Sequence, residues 1–260
     1  MQSIGYGIIM PVYCGAHLLV SPTALSDSSQ LQESIRPRHH PTLSALPWSI
    51  MCGYILPAAM MSIPWFSPKF HQYLVAVWQV SPVWIVALQY VSSRVSRFHP
   101  SPRQLSSVSG LEILDQVYRF AFVLASLTHY IALGVVALRC FPARTAGPGG
   151  HAVTFQEVFR SFNFRSGAQI SDMVQGAHGF FQYDQYLGSI AAILWATTLR
   201  FNVRNKSMSA RQWAHLAFEI VAYTLVAGPT GSLLMLLWAR DVQVTEAEVH
   251  MEHGVSKSST

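Results

Sequence analysis

Six apolar stretches, separated by short polar segments, constrain this chain more than any other feature of its sequence. A helix needs about 20 mostly apolar residues to cross the ~30 Å hydrocarbon core of a membrane. Only 11% of the residues are charged and 51% are apolar or aromatic, whereas soluble domains are about 25% charged. We predict an all-α, polytopic transmembrane helical bundle of about six spans, at about residues 4–20, 45–64, 73–91, 117–138, 186–201 and 213–238.

Polar segments set the predicted domain organisation. The segment at about 151–180 has several phenylalanines among two arginines, Arg160 and Arg165, which is typical of an amphipathic helix on a membrane surface. The last span is interrupted at Gly228 and Pro229, and the sequence turns polar after Asp241. We predict a single transmembrane domain at 1–241, which includes this surface segment, and a disordered polar tail at 242–260.

The basic residues lie in short clusters between the apolar runs, although the formal net charge is +5. This distribution is typical of membrane flanks and argues against a nucleic-acid partner. Cys14, Cys52 and Cys140 lack the spacing of a metal site. The sequence contains no Walker loop, GxSxG, HExxH or carboxylate-rich diphosphate motif. We therefore expect no metal and no cofactor, and any chemistry must depend on isolated acids.

Asp184 is the first candidate for a functional acid, because an ionisable group within a span is costly unless it serves a purpose. At helical spacing, Asp184, Gly188, Ala192 and Ala196 share one face. Small residues on this face allow another helix or a ligand to come close. The alternative is an acid at the water interface that only caps the span.

Glu219 is the second candidate acid. His215, Glu219 and Tyr223 follow one another at intervals of four residues, so they form a stripe within the last span. A desolvated glutamic acid favours its neutral form and can then donate a proton. The alternative is a structural link between two helices.

Other polar or aromatic side chains within spans are candidates for a structural or a functional role. His17 and Gln79 are isolated polar groups that fit an interhelical hydrogen bond, and His129, next to Tyr130, is predicted to reach the cavity. Trp78 fits either an interfacial anchor or a cavity wall. Asp115 and Arg119 have the spacing of an ordinary helix ion pair.

Several strings of the sequence resemble the small integral-membrane terpene cyclases of fungal meroterpenoid clusters, of the ascochlorin, ascofuranone and macrophorin type. They are Ile4-Gly5-Tyr6-Gly7, Pro11, His17-Leu18-Leu19, Ser21-Pro22, Gly53-Tyr54-Ile55-Leu56-Pro57, Trp78-Gln79-Val80-Ser81-Pro82, Phe181-Gln182-Tyr183-Asp184 and Leu187-Gly188-Ser189. Members of this type usually extend further at the N-terminus, so the resemblance implies a chain that is shortened there.

The resemblance implies cyclisation of a farnesyl chain attached to an aromatic or polyketide head, started by protonation of an epoxide or alkene. Asp184 would be the leading proton donor, and Glu219 a second acid or the base that ends the cascade. Electron-rich rings would stabilise the carbocations. The side chains expected to bind the substrate are His17, Tyr54, Trp78, Gln79, His129, Tyr183 and Trp195.

The expected partners are a prenylated small-molecule substrate and the lipid bilayer, with no obligate protein partner, and the expected location is the endoplasmic reticulum. Two alternatives use the same residues. A sterol-like isomerase would also need an acid within the membrane, beside aromatic rings. In a lipid-binding or transport protein without catalysis, the polar residues would line a passage, and the break at Gly228 and Pro229 would be a hinge or a binding site.

Overall fold

The computed structural model describes residues 5–24, 31, 40–63, 65–98, 107–140, 159, 173–204 and 208–258. Every regular element within these residues is a helix, so the all-helical prediction is confirmed. The elements are α1 (Tyr6–Val20), a 3-10 turn (Pro22–Ala24), α2 (His40–Ile50), a π-helical turn (Met51–Ile55), α3 (Leu56–Met61), α4 (Pro68–Gln79), α5 (Ser81–Phe98), α6 (Ser107–Cys140), α7 (Met173–Arg204) and α8 (Ala210–Ser258).

Three stretches of the described helices are long and apolar enough to cross a membrane, namely Thr42–Met61, Glu112–Leu138 and Ala210–Thr245. The count is four if α4 and the start of α5, which are bent by 62° to each other, form one span. These helices are compatible with a membrane protein, but they do not confirm six spans. One predicted span that is not confirmed is the first, because the 15 residues of α1 rise only about 22 Å, less than the ~30 Å of the hydrocarbon core.

The helices group into two compact units, Met1–Gln32 with Phe122–Thr260, and Glu33–Ala121. The first unit contains both candidate acids, and the second contains Tyr54, Trp78 and Gln79. The single transmembrane domain predicted for residues 1–241 stays a prediction.

In the second unit, α5 packs closely against the π-helical turn. A Cβ on Gly53 would lie 3.1 Å from Cγ1 of Ile85, so glycine allows this approach. The adjoining helix α4 is capped by Ser67, whose hydroxyl accepts the N–H of Phe70 at 3.3 Å. Proline at the first helical position needs no hydrogen-bond partner for its nitrogen, which favours the start of α4 at Pro68.

In the first unit, α1 and α7 lie side by side and run in the same direction. Hydrogen bonds join Tyr6 to Asp184, His17 to Trp195 and Ala24 to Asn202, and each pair is separated by 178 residues. Because both helices rise by the same amount per residue, a constant separation means parallel packing.

Helix α8 folds back on itself at Gly228, which has φ 72° and ψ 177°, a conformation that is essentially restricted to glycine. Oγ of Ser232 lies 2.8 Å from the carbonyl oxygen of Ile220, although these residues would be about 18 Å apart in a straight helix. The first half (210–227) and the second half (229–258) therefore lie alongside each other as a helical hairpin. The predicted span at 213–238 is consequently not one straight crossing.

The described helix continues past Asp241, where the sequence suggested the start of a disordered tail. Arg240, Asp241 and Val244 are all buried, and α8 extends to Ser258. The change in composition at Asp241 therefore does not coincide with the end of the helix. Most of the predicted surface segment at about 151–180 lies outside the described residues, and its last part, from Met173, belongs to α7.

Candidate functional site

Asp184 caps the N-terminus of α1. The first backbone N–H groups of a helix have no partner within it, and Gly5, which precedes α1, has no side chain to cap them. Oδ2 of Asp184 accepts the N–H of Tyr6 at 2.9 Å, and Oδ1 accepts the N–H of Gly7 at 2.7 Å. Both carboxyl oxygens thus satisfy backbone N–H groups at the positive end of the helix dipole.

Glycine allows the close contact between α1 and α7 beside this cap. A Cβ on Gly188 would lie 2.1 Å from Cδ1 of Tyr6, so the tyrosine ring covers the glycine. A Cβ on Gly7 would lie 2.9 Å from the carbonyl oxygen of Asp184. The small-residue face predicted on α7 therefore receives a helix, α1, at Gly188.

The structure pairs two of the predicted cavity residues, His17 and Trp195. Nε1–H of Trp195 donates to Nδ1 of His17 at 3.1 Å, so the proton of a neutral His17 lies on Nε2. Nε2 lies 3.0 Å from the hydroxyl of Thr23. The two rings meet edge to face with centroids 5.1 Å apart, and these contacts fix the orientation of the indole.

Glu219 forms an interhelical ion pair with Arg200. Nη1 of Arg200 lies 2.9 Å from Oε2 of Glu219, and the two side chains are 20% and 27% exposed. Nδ1 of His215 lies 3.6 Å from Oε1, which is too long for a good hydrogen bond. The pair lies at a cavity of about 90 Å³, lined by Arg200, Glu219, Ile220, Tyr223, Ser232, Met235, Leu236 and Ala239.

His129 lies against the turn of α8. Its Nε2 is 3.2 Å from the carbonyl oxygen of Leu225. The ring also borders Gly228, because a Cβ on that glycine would lie 3.0 Å from Nδ1. His129 thus has a partner within the protein.

In the second unit, Tyr54 and Trp78 form an aromatic pair with ring centroids 5.8 Å apart. Tyr54 belongs to the π-helical turn, an element often found at functional sites. Nε1 of Trp78 is buried without a hydrogen-bond partner among the described residues. Gln79 is exposed at the end of α4.

The two candidate acids do not share one site. The partner of Glu219, Arg200, is 16 residues beyond Asp184 on the same helix α7, a rise of about 24 Å. Tyr183, which precedes Asp184, is half-buried. Within the first unit, therefore, Asp184 lies near the start of α1, whereas Trp195 and Arg200 lie further along α7.

Sequence reasoning missed three charged residues in the first unit, namely Arg200, Arg240 and Asp241. Arg240 and Asp241 are only 7% and 6% exposed, and Nε of Arg240 donates to Oδ1 of Asp241 at 2.8 Å. The sequence feature that could have indicated these residues is a charge within or beside an apolar run. Within the ranges described above, no group of three or more His, Cys, Asp and Glu side chains is arranged to hold a metal ion.

Comparison with known proteins identifies the family. The CtvD domain family matches residues 1–245. The chain is 29% identical over 243 residues to terpene cyclase ascI of Acremonium egyptiacum, covering 92% of this chain and 60% of that protein. It is 27% identical over 249 residues to terpene cyclase ctvD of Aspergillus terreus, covering 91% and 64%.

A third relative, terpene cyclase atmA of Aspergillus flavus, is 22% identical over 242 residues, covering 91% of this chain and 63% of that protein. The chain thus spans between 60% and 64% of the length of these relatives. No solved structure matches it. The family resemblance noted from the sequence strings is confirmed, and this chain belongs to the CtvD domain family.

Proposed function

We propose that the chain is a membrane-bound, metal-independent terpene cyclase. It would protonate an epoxide or alkene of a farnesylated, meroterpenoid substrate and close rings through carbocations. Membership of the CtvD domain family and similarity to proteins named terpene cyclases support the activity.

The position of the Glu219 carboxylate is the observation that carries the proposal. This carboxylate lies at a cavity with several apolar walls and is paired with Arg200, and charge-assisted hydrogen bonds of this kind are short and strong. An ionised carboxylate suits the base that ends the cascade. It would take a proton from the last carbocation, leave an alkene and become neutral itself. One proton gained and one lost give a product of unchanged mass.

Asp184 is the proton donor that the sequence suggested. Because both of its oxygens accept backbone N–H groups, a protonated Asp184 would have to turn one oxygen away from α1. The geometry therefore supports an anchoring role, and the donor role depends on the sequence argument alone. A comparison of Asp184→Asn with Gly7→Ala, which disturbs the same contact without removing the acid, separates the two roles.

The cavity at Glu219 is too small for a whole prenylated substrate. Its volume of about 90 Å³ compares with roughly 300–1,000 Å³ for typical ligand pockets. We propose that it receives only the part of the substrate that loses the last proton.

The fixed rings of His17 and Trp195 support a role in carbocation stabilisation. An aromatic face attracts a desolvated cation by about 2 kcal/mol. Because Trp195 is held by His17 at its edge, its ring keeps one orientation without a substrate. The proposed function gives Trp78 and Tyr54 the same role in the second unit.

The parallel packing of α1 and α7 supports a multi-pass topology of about six spans. If two parallel helices both cross the membrane, the chain between them must cross an odd number of times. Among the residues that the structure describes, three candidate spans lie between them when α4 and α5 count as one bent span. The folded-back α8 would be the sixth membrane element. We also propose that the protein is located in the endoplasmic reticulum.

The test uses membranes that contain the full chain, incubated with a farnesylated phenol or with its terminal epoxide. Mass spectrometry and NMR should find a cyclic isomer of unchanged mass. Glu219→Gln should lower kcat by about 10²- to 10⁴-fold, the usual contribution of a general acid or base. Asp115→Asn is the matched control, because Asp115 forms an exposed ion pair with Arg119.

Three results would count against the proposed roles. Full cyclisation by Glu219→Gln would remove Glu219 from the chemistry, and full cyclisation by Asp184→Asn would remove the proposed donor. Unaltered substrate that is tightly bound by wild-type membranes would overturn the cyclase proposal and favour a lipid-binding protein.

A further inference from the structure

The turn of the α8 hairpin frees a backbone carbonyl from its usual helical partner. In a continuous helix the carbonyl of Leu225 would accept the N–H of residue 229. That residue is Pro229, which has no N–H. The non-helical conformation of Gly228 also breaks the helix at this point. The carbonyl of Leu225 therefore needs a donor from elsewhere.

The surroundings of this carbonyl make an unsatisfied state costly. Leu225 and Val226 are 71% and 50% exposed in a helix that is apolar enough to span a membrane. An exposed apolar surface on such a helix faces hydrocarbon, where no water is present to bond a carbonyl. A side-chain donor must then replace the missing N–H.

His129 on α6 supplies that donor. Its Nε2 lies 3.2 Å from the carbonyl oxygen of Leu225. Since a carbonyl oxygen only accepts hydrogen bonds, Nε2 carries a proton. The imidazole also borders Gly228, where a Cβ would come within 3.0 Å of Nδ1. Glycine at this position thus provides both the turn and the space for the ring.

The same turn sets the spacing of the cavity walls. Thr224 and Ser232, four residues to either side of Gly228, have hydroxyl oxygens 2.8 Å apart. Further along, the first half of α8 contributes Glu219 and Tyr223 to the cavity, and the second half contributes Met235 and Ala239. Opening of the turn would separate these two walls.

We propose that His129 is a positioning residue, which satisfies the carbonyl of Leu225 and so holds the two halves of α8 together around Glu219. Its importance for catalysis rests on the proposed function. Its effect on the stability of the hairpin does not rest on the proposed function, and this effect can be measured in an inactive protein.

Hydrogen–deuterium exchange of the full chain in lipid nanodiscs tests the proposal, with peptides that cover residues 222–235. His129→Leu keeps the approximate volume and removes the donor, whereas His129→Gln keeps a donor at a similar reach. We expect exchange in His129→Leu to be faster by about tenfold or more, and exchange in His129→Gln to stay within about threefold of wild type. Thr128→Ala is the control, because the hydroxyl of Thr128 bonds to carbonyl oxygens of its own helix, α6.

Wild-type exchange rates in His129→Leu, or equally fast exchange in His129→Gln and His129→Leu, would overturn the proposal. If His129→Leu does not fold, ¹⁵N NMR of histidine-labelled wild type decides, with His129→Gln used to assign the signal. A neutral His129 with its proton on Nδ1 would contradict the proposal, and a proton on Nε2 would support it. In an active protein, His129→Gln should also recover the kcat that His129→Leu loses.

Discussion

The carboxylate of Asp184 on α7 caps α1, with Oδ1 2.7 Å from the backbone nitrogen of Gly7. A residue first noted as a possible proton donor thus joins two helices that are 177 residues apart in the chain at this contact. Loss of activity on its substitution would therefore have two possible causes, a missing acid or a displaced helix.

Asp184→Asn should destabilise the protein, because asparagine has one acceptor oxygen and its amide group would face the second N–H. We expect a loss of about 1–3 kcal/mol in the free energy of unfolding, measured by denaturation in detergent micelles. Gly7→Ala disturbs the same contact without removing the acid. Equal loss of activity in both variants, at equal loss of stability, would show that Asp184 acts as an anchor.

Gly188→Ala should weaken the packing of α1 on α7. Its Cβ would collide with the ring of Tyr6, and overpacking typically costs about 1–3 kcal/mol. The matched control is Gly134→Ala on α6, where a Cβ would meet nothing within 4 Å. This control should be neutral or slightly stabilising, because alanine favours a helix by about 1 kcal/mol over glycine. Equal thermal stability of both variants would contradict the observed contact.

Arg200 and Glu219 should show strong energetic coupling. Arg200→Met leaves a partly buried carboxylate without its partner, so it should cost more than the double variant Arg200→Met with Glu219→Gln. We expect a coupling energy of about 1–3 kcal/mol from a double-mutant cycle of unfolding. Asp115 and Arg119, an exposed pair, should couple by less than about 0.5 kcal/mol. Additive effects at the first pair would mean that the ion pair is not formed.

The hairpin of α8 can be tested by measuring a distance between its two halves. Spin labels at Gln212 and Gln243, both exposed, would be about 46 Å apart along a straight helix. Packed halves, with axes about 8–10 Å apart, should instead give a distance below about 25 Å by pulsed electron paramagnetic resonance. Gly228→Ala should shift the distribution to longer distances, since its φ and ψ are strained for alanine by about 1–3 kcal/mol. A single distance near 46 Å in wild type would exclude the hairpin.

Part of the candidate site could be predicted from the sequence. The interval of four residues from Asp184 to Gly188 predicted a face that another group approaches closely, and Tyr6 lies there. The isolated polar group of His17 predicted an interhelical hydrogen bond, which Trp195 provides. The first prediction depends on the geometry of one helix, and the second depends on the cost of an unpaired polar group in apolar surroundings; both hold in any fold.

The partners could not be predicted, because they come from distant parts of the chain. Nothing near Asp184 in sequence indicates that its partners are the N–H groups of Tyr6 and Gly7. Arg200 stands near the end of an apolar run, where a charged side chain usually reaches the interface. It lies instead against Glu219, 19 residues further along the chain.

The sequence by itself determined that the chain is helical and apolar, and it marked Gly228 and Pro229 as a break. These properties follow from local chemistry, since side-chain hydropathy and the missing N–H of proline act without reference to other helices. The tertiary structure alone decided that the break is a hairpin, that α1 lies parallel to α7, and that the two acids lie apart. These depend on contacts between distant residues, whose energies no local pattern contains.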